Sequence, residues 1–176
     1  MTGVQTCALP ILARTAWLDS GLRDYPIAAT YTYNLVNHEQ GVDDNETGTT
    51  LPITATISSS EFDIDDGHNF GFIWRILPDI TFRGSEGAST PQVTMTLAPM
   101  QNSGSGVNSP ASVGGVDNAT VSRVAVATIE EFTGQVYIRV RGRQLIFTCE
   151  SSQIGTQWQL GAPRIDIKPD GRRGNT

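Results

Sequence analysis

Apolar and polar residues alternate at every second position along most of this chain, and helical spacing of apolar residues is nearly absent. A period of two places successive side chains on opposite faces of a strand, so that one face can be buried. The alternating runs are Phe70, Phe72, Trp74 and Ile76; Val93, Met95 and Leu97; Val124, Val126 and Thr128; Val136, Ile138 and Val140; Leu145, Phe147 and Cys149; and Ile165 with Ile167. Since Gly, Pro, Asn and Ser separate these runs, the pattern predicts an all-β fold, an antiparallel and jelly-roll-like β-sandwich.

The clearest predicted strand pair lies within residues 135–150. Arg141-Gly142-Arg143 separates two alternating runs there. Glycine tolerates the positive φ that a tight turn requires. We therefore expect a β-hairpin with its turn at Gly142.

Two polar stretches interrupt the alternating runs. Residues Pro99–Asn118 are rich in Gly and Ser, which predicts an exposed, mobile loop. Residues Gly41–Thr50 lie between a strand predicted for Thr30–Asn37 and the apolar run Leu51–Ile57. We place a domain boundary after that run.

This boundary gives three regions. Residues 12–57 are interpreted as the end of a truncated preceding β region, 58–173 as the sandwich domain and 174–176 as a tail. The first eleven residues, Met1–Ile11, resemble a translated short-read sequencing adapter rather than selected protein sequence. We therefore interpret residues 1–11 as an artefact and expect the genuine chain, a fragment of a longer protein, to begin near Leu12.

Charge is unevenly distributed along the chain. Residues 1–130 hold 14 acidic and 5 basic side chains, whereas residues 131–176 hold 4 acidic and 7 basic ones. A weakly basic tail of this size is typical of a solvated surface, so nucleic-acid binding is the less favoured interpretation. No apolar run approaches the length of a membrane-spanning helix, and we expect no membrane partner.

Few residues indicate catalysis or metal binding. Cys149 occupies an alternating strand position, which favours a buried apolar role over a nucleophile. The turn 63–69 resembles the start of a calcium loop, but its twelfth position is Trp74 where an EF-hand requires Glu. Phosphate-binding glycine loops and a nucleophile elbow are absent from the sequence. We predict no enzyme activity, no catalytic or metal-binding residue and no cofactor.

Aromatic residues leave two interpretations open. Trp74 and Trp158 are predicted to be core anchors, since aromatic side chains at strand positions are buried by default. Exposed rings would instead supply a stacking platform for sugars. The alternative function is therefore a carbohydrate-binding β-sandwich module of a phage fibre or a secreted glycosidase.

Three runs, Phe62–Asp79, Phe132–Gln144 and Gly155–Arg173, resemble the C-terminal region of a family of tailed-phage virion proteins. This family comprises β-rich tail or neck proteins, including nozzle-like and packaged-DNA-stabilising proteins. The resemblance extends over most of residues 31–173. It implies a non-enzymatic structural protein that is made in the host cytoplasm and located in the virion. It further implies a DNA-exit channel built from copies of the chain and other tail or neck proteins, with transient contact to phage DNA.

The residues also indicate how copies would assemble. Alternating arginines around the predicted hairpin share one face, and the planar arginine fork pairs well with carboxylates across a subunit boundary. The acidic turn that precedes Gly67 is the predicted partner. The candidate interface residues are Arg139, Arg141, Arg143, Asp63, Asp65 and Asp66.

Overall fold

A computed structural model describes residues 14–64, 67–87, 90–100 and 124–171. Within these ranges every helix or strand that is present is a β-strand, which confirms the predicted all-β class. The strands are β1 (Arg14–Leu18), β2 (Ile27–Thr30), β3 (Leu35–Asn37), β4 (Asp43–Asp44), β5 (Leu51–Pro52), β6 (Ala55–Ser58), β7 (Phe62–Asp63), β8 (Gly71–Leu77), β9 (Ile80–Thr81), β10 (Gln92–Met100), β11 (Ala125–Glu130), β12 (Val136–Gly142), β13 (Gln144–Ser151), β14 (Gln159–Leu160) and β15 (Arg164–Pro169).

Two antiparallel sheets build the sandwich. The larger sheet has the order β11-β10-β13-β6, and β7 also pairs with β13. Its centre is β10, where Met95 lies opposite Ala127 on one side and Cys149 on the other. The smaller sheet has the order β12-β8-β15.

The hydrophobic core fills the space between these two sheets. One buried cluster joins Ile73 and Ile76 of the smaller sheet to Leu97 and Leu145 of the larger sheet. A second cluster of buried residues lies beside it and consists of Phe82, Val93, Met95, Ile129 and Cys149. Side chains from both sheets share the first cluster, so the sheets pack face to face as in a sandwich.

The predicted hairpin at Gly142 is wrong. β12 pairs with β8 and β13 pairs with β10, so the chain passes from one sheet to the other at Arg143 instead of turning back. Gly142 is absent from the glycines with positive φ. A Cβ there would lie 2.9 Å from the Pro99 Cβ and 3.0 Å from the Met100 carbonyl oxygen. The glycine is therefore needed for close packing at the corner and not for turn geometry.

The predicted inward face of β8 is also wrong. Its buried residues are Gly71, Ile73 and Ile76, whereas Trp74 is only partly buried. The register between β8 and β15 shifts by one residue between Asp166 and Ile167, because β8 contains an extra residue at this point. Such a β-bulge interrupts the alternation of side chains, and a pattern of strict period two does not reveal it.

In β11 the predicted face is reversed. Val126 was expected on the buried side, but it is 64% exposed. Ile129 is fully buried, and Ala125 and Ala127 pack against the core clusters. Ala125, Ala127 and Ile129 fill this part of the interface, so Val126 points to solvent.

The N-terminal strands form smaller sheets. β1, β2 and β3 pair in that order, and β4 pairs with β5. The strand predicted for Thr30–Asn37 is interrupted, since the turn at residues 31–34 contains Tyr33 at φ 64°. β6 pairs with β13 of the sandwich, so residues 55–57 belong to the sandwich sheet and the predicted boundary falls too late.

The predicted loop from Pro99 begins later than expected. Pro99 and Met100 are buried residues of β10, paired with β13. The rest of that predicted loop, residues 101–118, lies outside the described residues.

Candidate interaction surface

The outer face of the β12-β8-β15 sheet is strongly basic because of strand alternation. In β12, positions 136, 138 and 140 pack against the core, so Tyr137, Arg139 and Arg141 point away from it. In β15, Ile165 packs against the core. Its neighbours at 164, 166 and 168 therefore lie on the same outer side as the arginines of β12.

The bulge in β8 adds two adjacent side chains to this outer face. Ile73 and Ile76 are buried, and Trp74 and Arg75 between them are only partly buried. A strand without the bulge would direct one of these two side chains inward. The bulge therefore brings a tryptophan and an arginine together at the centre of the sheet.

We call the outward residues of these three strands the basic face. They comprise five cations, one carboxylate and three aromatic rings in a chain whose net charge is −6. The basic face consists of Phe72, Trp74, Arg75, Tyr137, Arg139, Arg141, Arg164, Asp166 and Lys168.

Trp74 lies on the central strand of the basic face and contacts side chains of all three strands. The Arg75 guanidinium carbon lies 4.7 Å from the Trp74 ring centroid, and Lys168 Nζ lies 5.1 Å from it. The Tyr137 ring stacks beside Trp74 with the two centroids 6.0 Å apart. Cations within about 6 Å of a ring face are attracted by its quadrupole. Trp74 therefore helps to hold two cations in place on the sheet.

A second aromatic ring is covered by arginines at one end of the face. Phe70, directly before β8, is 5% exposed. The guanidinium carbons of Arg141 and Arg143 lie 4.1 and 4.7 Å from the centroid of its ring. Arg141 also pairs with the Asp170 carboxylate of the same chain. Packing of the arginine stems and planes explains why this outward-pointing phenylalanine is buried.

The cations of the basic face differ in their partners. Arg75 Nε donates a hydrogen bond to Asp166 Oδ2 at 2.6 Å. Within the described ranges, Arg139, Arg164 and Lys168 form no salt bridge with a carboxylate. Three positive charges are thus not neutralised by an ion pair there.

The predicted interface residues occupy two different parts of the molecule. Arg139 and Arg141 lie on the basic face, and Arg143 reaches the same end of it through Phe70. Asp63 lies on β7 of the other sheet, where Gln144 Nε2 donates to its Oδ1 at 2.8 Å. Its carboxylate also lies directly against Gly67, which has φ 71°. Both features are expected of a turn that uses Asp and Gly.

Two predicted interface residues, Asp65 and Asp66, lie outside the described residues. The pairing proposed between the acidic turn and the arginines therefore stays a prediction. The structure instead pairs Arg141 with Asp170, a residue that sequence reasoning missed. Arg164 and Lys168 were also missed, although their alternation with Ile165 and Ile167 was visible in the sequence.

The two tryptophans predicted as core anchors have different environments. Trp158 is partly buried and packs against the second core cluster. Trp74 contributes to neither core cluster and lies on the basic face. The bulge in β8 explains this position, because it displaces the alternation on which the prediction depended.

A second exposed surface lies on the N-terminal β1-β2-β3 sheet and its turns. Leu22 is 97% exposed, Tyr33 98% and Leu35 77%. Trp17, Leu18 and Tyr31 are also largely exposed. Trp17 and Leu18 are consecutive on β1 and lie on opposite faces, so this exposed apolar surface extends over both sides of the sheet and its turns. Exposed apolar surface of this kind is buried when a partner docks on it.

This apolar sheet is attached to the β4–β5 turn by polar contacts. The Arg14 guanidinium forms an ion pair with Glu46, and Arg14 Nε donates to His38 Nε2 at 3.1 Å. The Thr32 hydroxyl donates to Glu46 Oε1 at 2.6 Å. The hydrogen bond from Thr32, followed by that from Arg14, lowers the pKa of Glu46. The Trp17 ring lies 4.2 Å from that of His38, centroid to centroid.

The protonation state of His38 follows from these surroundings. Burial lowers the pKa of His38 below its ordinary value of 6.5, and the neighbouring Arg14 charge lowers it further. Neutral His38 presents a lone pair to Arg14, so acceptance of this hydrogen bond requires the unprotonated form.

The described residues show little that could carry out covalent or metal chemistry. Cys149 is fully buried, as predicted, and burial raises the pKa of its thiol to about 12. A thiol with such a pKa is a poor nucleophile at neutral pH. In the ranges that the structure describes, no three His, Cys, Asp or Glu side chains are grouped so that they could hold a metal ion.

Among the described residues there is no helix long and apolar enough to cross a membrane.

No family model matches the chain, and no curated protein matches it significantly.

Proposed function

We propose that this chain belongs to a non-enzymatic structural protein of a phage virion, a tail or neck component that assembles with copies of itself into a DNA-exit channel. The resemblance of its three sequence runs to tailed-phage proteins motivates the proposal. Two features of the structure support an assembly role. They are the exposed apolar surface of the β1-β2-β3 sheet and its turns, and the basic face of the β12-β8-β15 sheet.

The exposed apolar surface carries most weight. Leu22, Tyr33 and Leu35 lie within one small sheet and its turns, and each is more than three quarters exposed. Leaving such side chains in water costs about 1.5–3 kcal/mol each relative to burial. A subunit that docks this surface on neighbouring protein recovers that free energy. In an assembled particle the partners are other copies and other tail or neck proteins.

Self-association of the full chain tests this proposal. Light scattering after size-exclusion chromatography is expected to show oligomers whose proportion rises with protein concentration, and electron microscopy is expected to show closed rings. The double variant Leu22→Ser/Tyr33→Ser is expected to shift the chain to monomer. Phe132→Ser is the matched control, because Phe132 is 93% exposed but lies in the sandwich. A chain that stays monomeric at all concentrations would contradict assembly through this surface.

Long-read sequencing across the gene tests the virion setting separately. A long β-rich reading frame beside portal, terminase and capsid genes is expected. A short frame beginning near Leu12 beside sugar-metabolism genes would contradict the virion proposal.

One observation favours the alternative, a carbohydrate-binding module. Tyr137 is 65% exposed and stacks beside Trp74 on the outer side of the sheet, an arrangement on which a sugar ring can stack. Trp158 does not offer such a platform, since it packs against the core. Glycan binding that Tyr137→Ala abolishes without changing the unfolding midpoint would favour this alternative.

A further inference from the structure

We infer that the basic face binds the phosphate backbone of nucleic acid. This inference rests on the proposed function for its biological setting in a DNA-exit channel. The binding is nevertheless a property of this chain that can be measured without any assembly.

Charge sets the basic face apart from the rest of the chain. Five of its nine residues are cations and one is a carboxylate, whereas residues 14–64 contain eight carboxylates and two arginines. The positive face attracts polyanions, whereas the acidic remainder of the chain repels them, so a bound polyanion is directed to this face. Segregation of this kind is the electrostatic signature of a nucleic-acid site.

The cations are arranged in rows across three paired strands. Arg141 of β12 lies in register with Phe72 of β8, which in turn lies in register with Lys168 of β15. Outward side chains along one strand recur at about 6.6–6.8 Å. A phosphate backbone carries one negative charge per nucleotide, so a row of cations can contact several consecutive phosphates.

The cations are held in position before any partner binds. Trp74 contacts Arg75 and Lys168, and Asp166 accepts a hydrogen bond from Arg75. Because these side chains stand on paired strands and against a ring, little conformational entropy is lost when a phosphate binds. Arg139 and Arg164, which have no salt bridge in the described ranges, supply the charge that is free to bind.

The exposed aromatic ring favours nucleic acid as the partner over a polyanion that has no bases to stack. Tyr137 lies on the edge strand β12 beside Trp74 and is 65% exposed. An exposed ring flanked by cations is the arrangement on which unpaired bases stack while their phosphates are neutralised. Duplex DNA presents the same phosphates without unpaired bases. A comparison of single-stranded with duplex DNA therefore distinguishes base stacking from phosphate binding.

Fluorescence anisotropy with a labelled 20-nucleotide single strand and the corresponding duplex tests the inference on the full chain. Affinity is expected to fall linearly with salt on a logarithmic plot. The variant Arg139→Gln/Arg164→Gln is expected to bind at least tenfold more weakly at low salt, with a slope reduced by about two. Arg23→Gln/Arg83→Gln removes the same charge from exposed sites elsewhere and is expected to bind like the unaltered chain.

Tyr137→Ser distinguishes the two forms of nucleic acid. Weaker binding of the single strand with unchanged duplex binding would assign the stacking role to Tyr137. Unchanged binding of both forms would assign binding to the phosphates alone. Circular dichroism of each variant shows whether the fold is retained. If Arg139→Gln/Arg164→Gln is unfolded, Arg139→Lys/Arg164→Lys replaces it. This variant keeps the charge and is expected to lose less affinity.

Three results would overturn the inference. They are no binding of either nucleic acid at low salt, an equal loss in the Arg23/Arg83 control, and self-association that the Arg139/Arg164 variant abolishes in the absence of nucleic-acid binding. The last result would make the basic face a contact between copies. Assembly without nucleic-acid binding removes this inference alone, whereas nucleic-acid binding by a chain that never assembles removes the proposed assembly alone.

Discussion

The sandwich and the N-terminal region of residues 14–52 are both built from strands, yet they bury their apolar side chains very differently. Ile73, Ile76 and Leu97 of the sandwich are completely buried between two sheets. In the N-terminal region Leu22 and Tyr33 are almost fully exposed. Among the described residues of the β1-β2-β3 sheet only Ala28 and Thr30 are buried, whereas stable architectures cover an apolar sheet face with a second layer. The sandwich therefore forms its own hydrophobic core, whereas the N-terminal region depends on contacts other than a core of its own.

Those other contacts are mostly polar. Arg14, Glu46 and His38 join β1 and β3 to the β4–β5 turn. The Asp43 carboxylate accepts the Gly155 N–H at 2.8 Å and so connects this region to the sandwich. Polar contacts that reach solvent are screened by it, and each stabilises less than the burial of one large apolar side chain. The N-terminal region is therefore expected to open before the sandwich unfolds.

The largest expected effect is in the sandwich core. Leu97→Ala should lower the free energy of unfolding by about 2–5 kcal/mol, because it removes a fully buried side chain and leaves a cavity. Val126→Ala, on the adjacent strand but 64% exposed, should change it by less than about 0.5 kcal/mol. Urea denaturation monitored by circular dichroism measures both values. Similar losses in the two variants would contradict the assignment of the core.

A smaller and local effect is expected in the N-terminal region. Arg14→Leu removes the donor to Glu46 and His38, so amides of β1 to β3 should exchange with solvent roughly tenfold faster. Arg23→Leu is the control, because the Arg23 side chain is exposed. Hydrogen-exchange mass spectrometry resolves the two regions. Faster exchange in β10 as well would show that the regions unfold together.

The smallest expected effect is a dependence on pH confined to the N-terminal region. The folded-state pKa of His38 lies below its ordinary value of 6.5, so the unfolded chain binds a proton first as the pH falls. The contribution of His38 is therefore fully present above pH 6.5 and is lost as the pH falls through its folded pKa.

Glu46 acts in the same direction at lower pH. Its pKa is lowered from 4.5, so its contribution is present above that value and lost on further acidification. Protease cleavage within residues 14–52 should thus increase in two steps as the pH falls. His38→Gln should remove the upper step only, and an upper step that persists in this variant would assign it to another group.

Sequence alternation was sufficient for strands whose pleat is regular. Buried residues of β10 and β13 such as Met95, Leu97 and Cys149 were predicted from period two alone. Alternation failed at β8, because the bulge near Trp74 shifts the pattern by one residue. It also failed at Gly142, since the same pattern occurs when a chain returns in a hairpin and when it crosses to the opposite sheet.

The basic face was predictable only in part. Arg139 and Arg141 alternate along one strand, and their common side follows from the sequence. Their neighbours Arg75 and Lys168 come from strands far apart in the chain, and only the pairing β12-β8-β15 brings them together. Strand order depends on long-range contacts that local periodicity does not encode.

Hydrogen exchange of the unaltered chain at increasing protein concentration tests the central claim most directly. In dilute solution β10 and β13 should be strongly protected and β1 to β3 weakly protected. At higher concentration, protection of β1 to β3 should rise as their apolar surface docks on neighbouring copies, with β10 and β13 unchanged. Protection of β1 to β3 that equals that of β10 in dilute monomer, and does not change with concentration, would contradict the claim that this region depends on a partner.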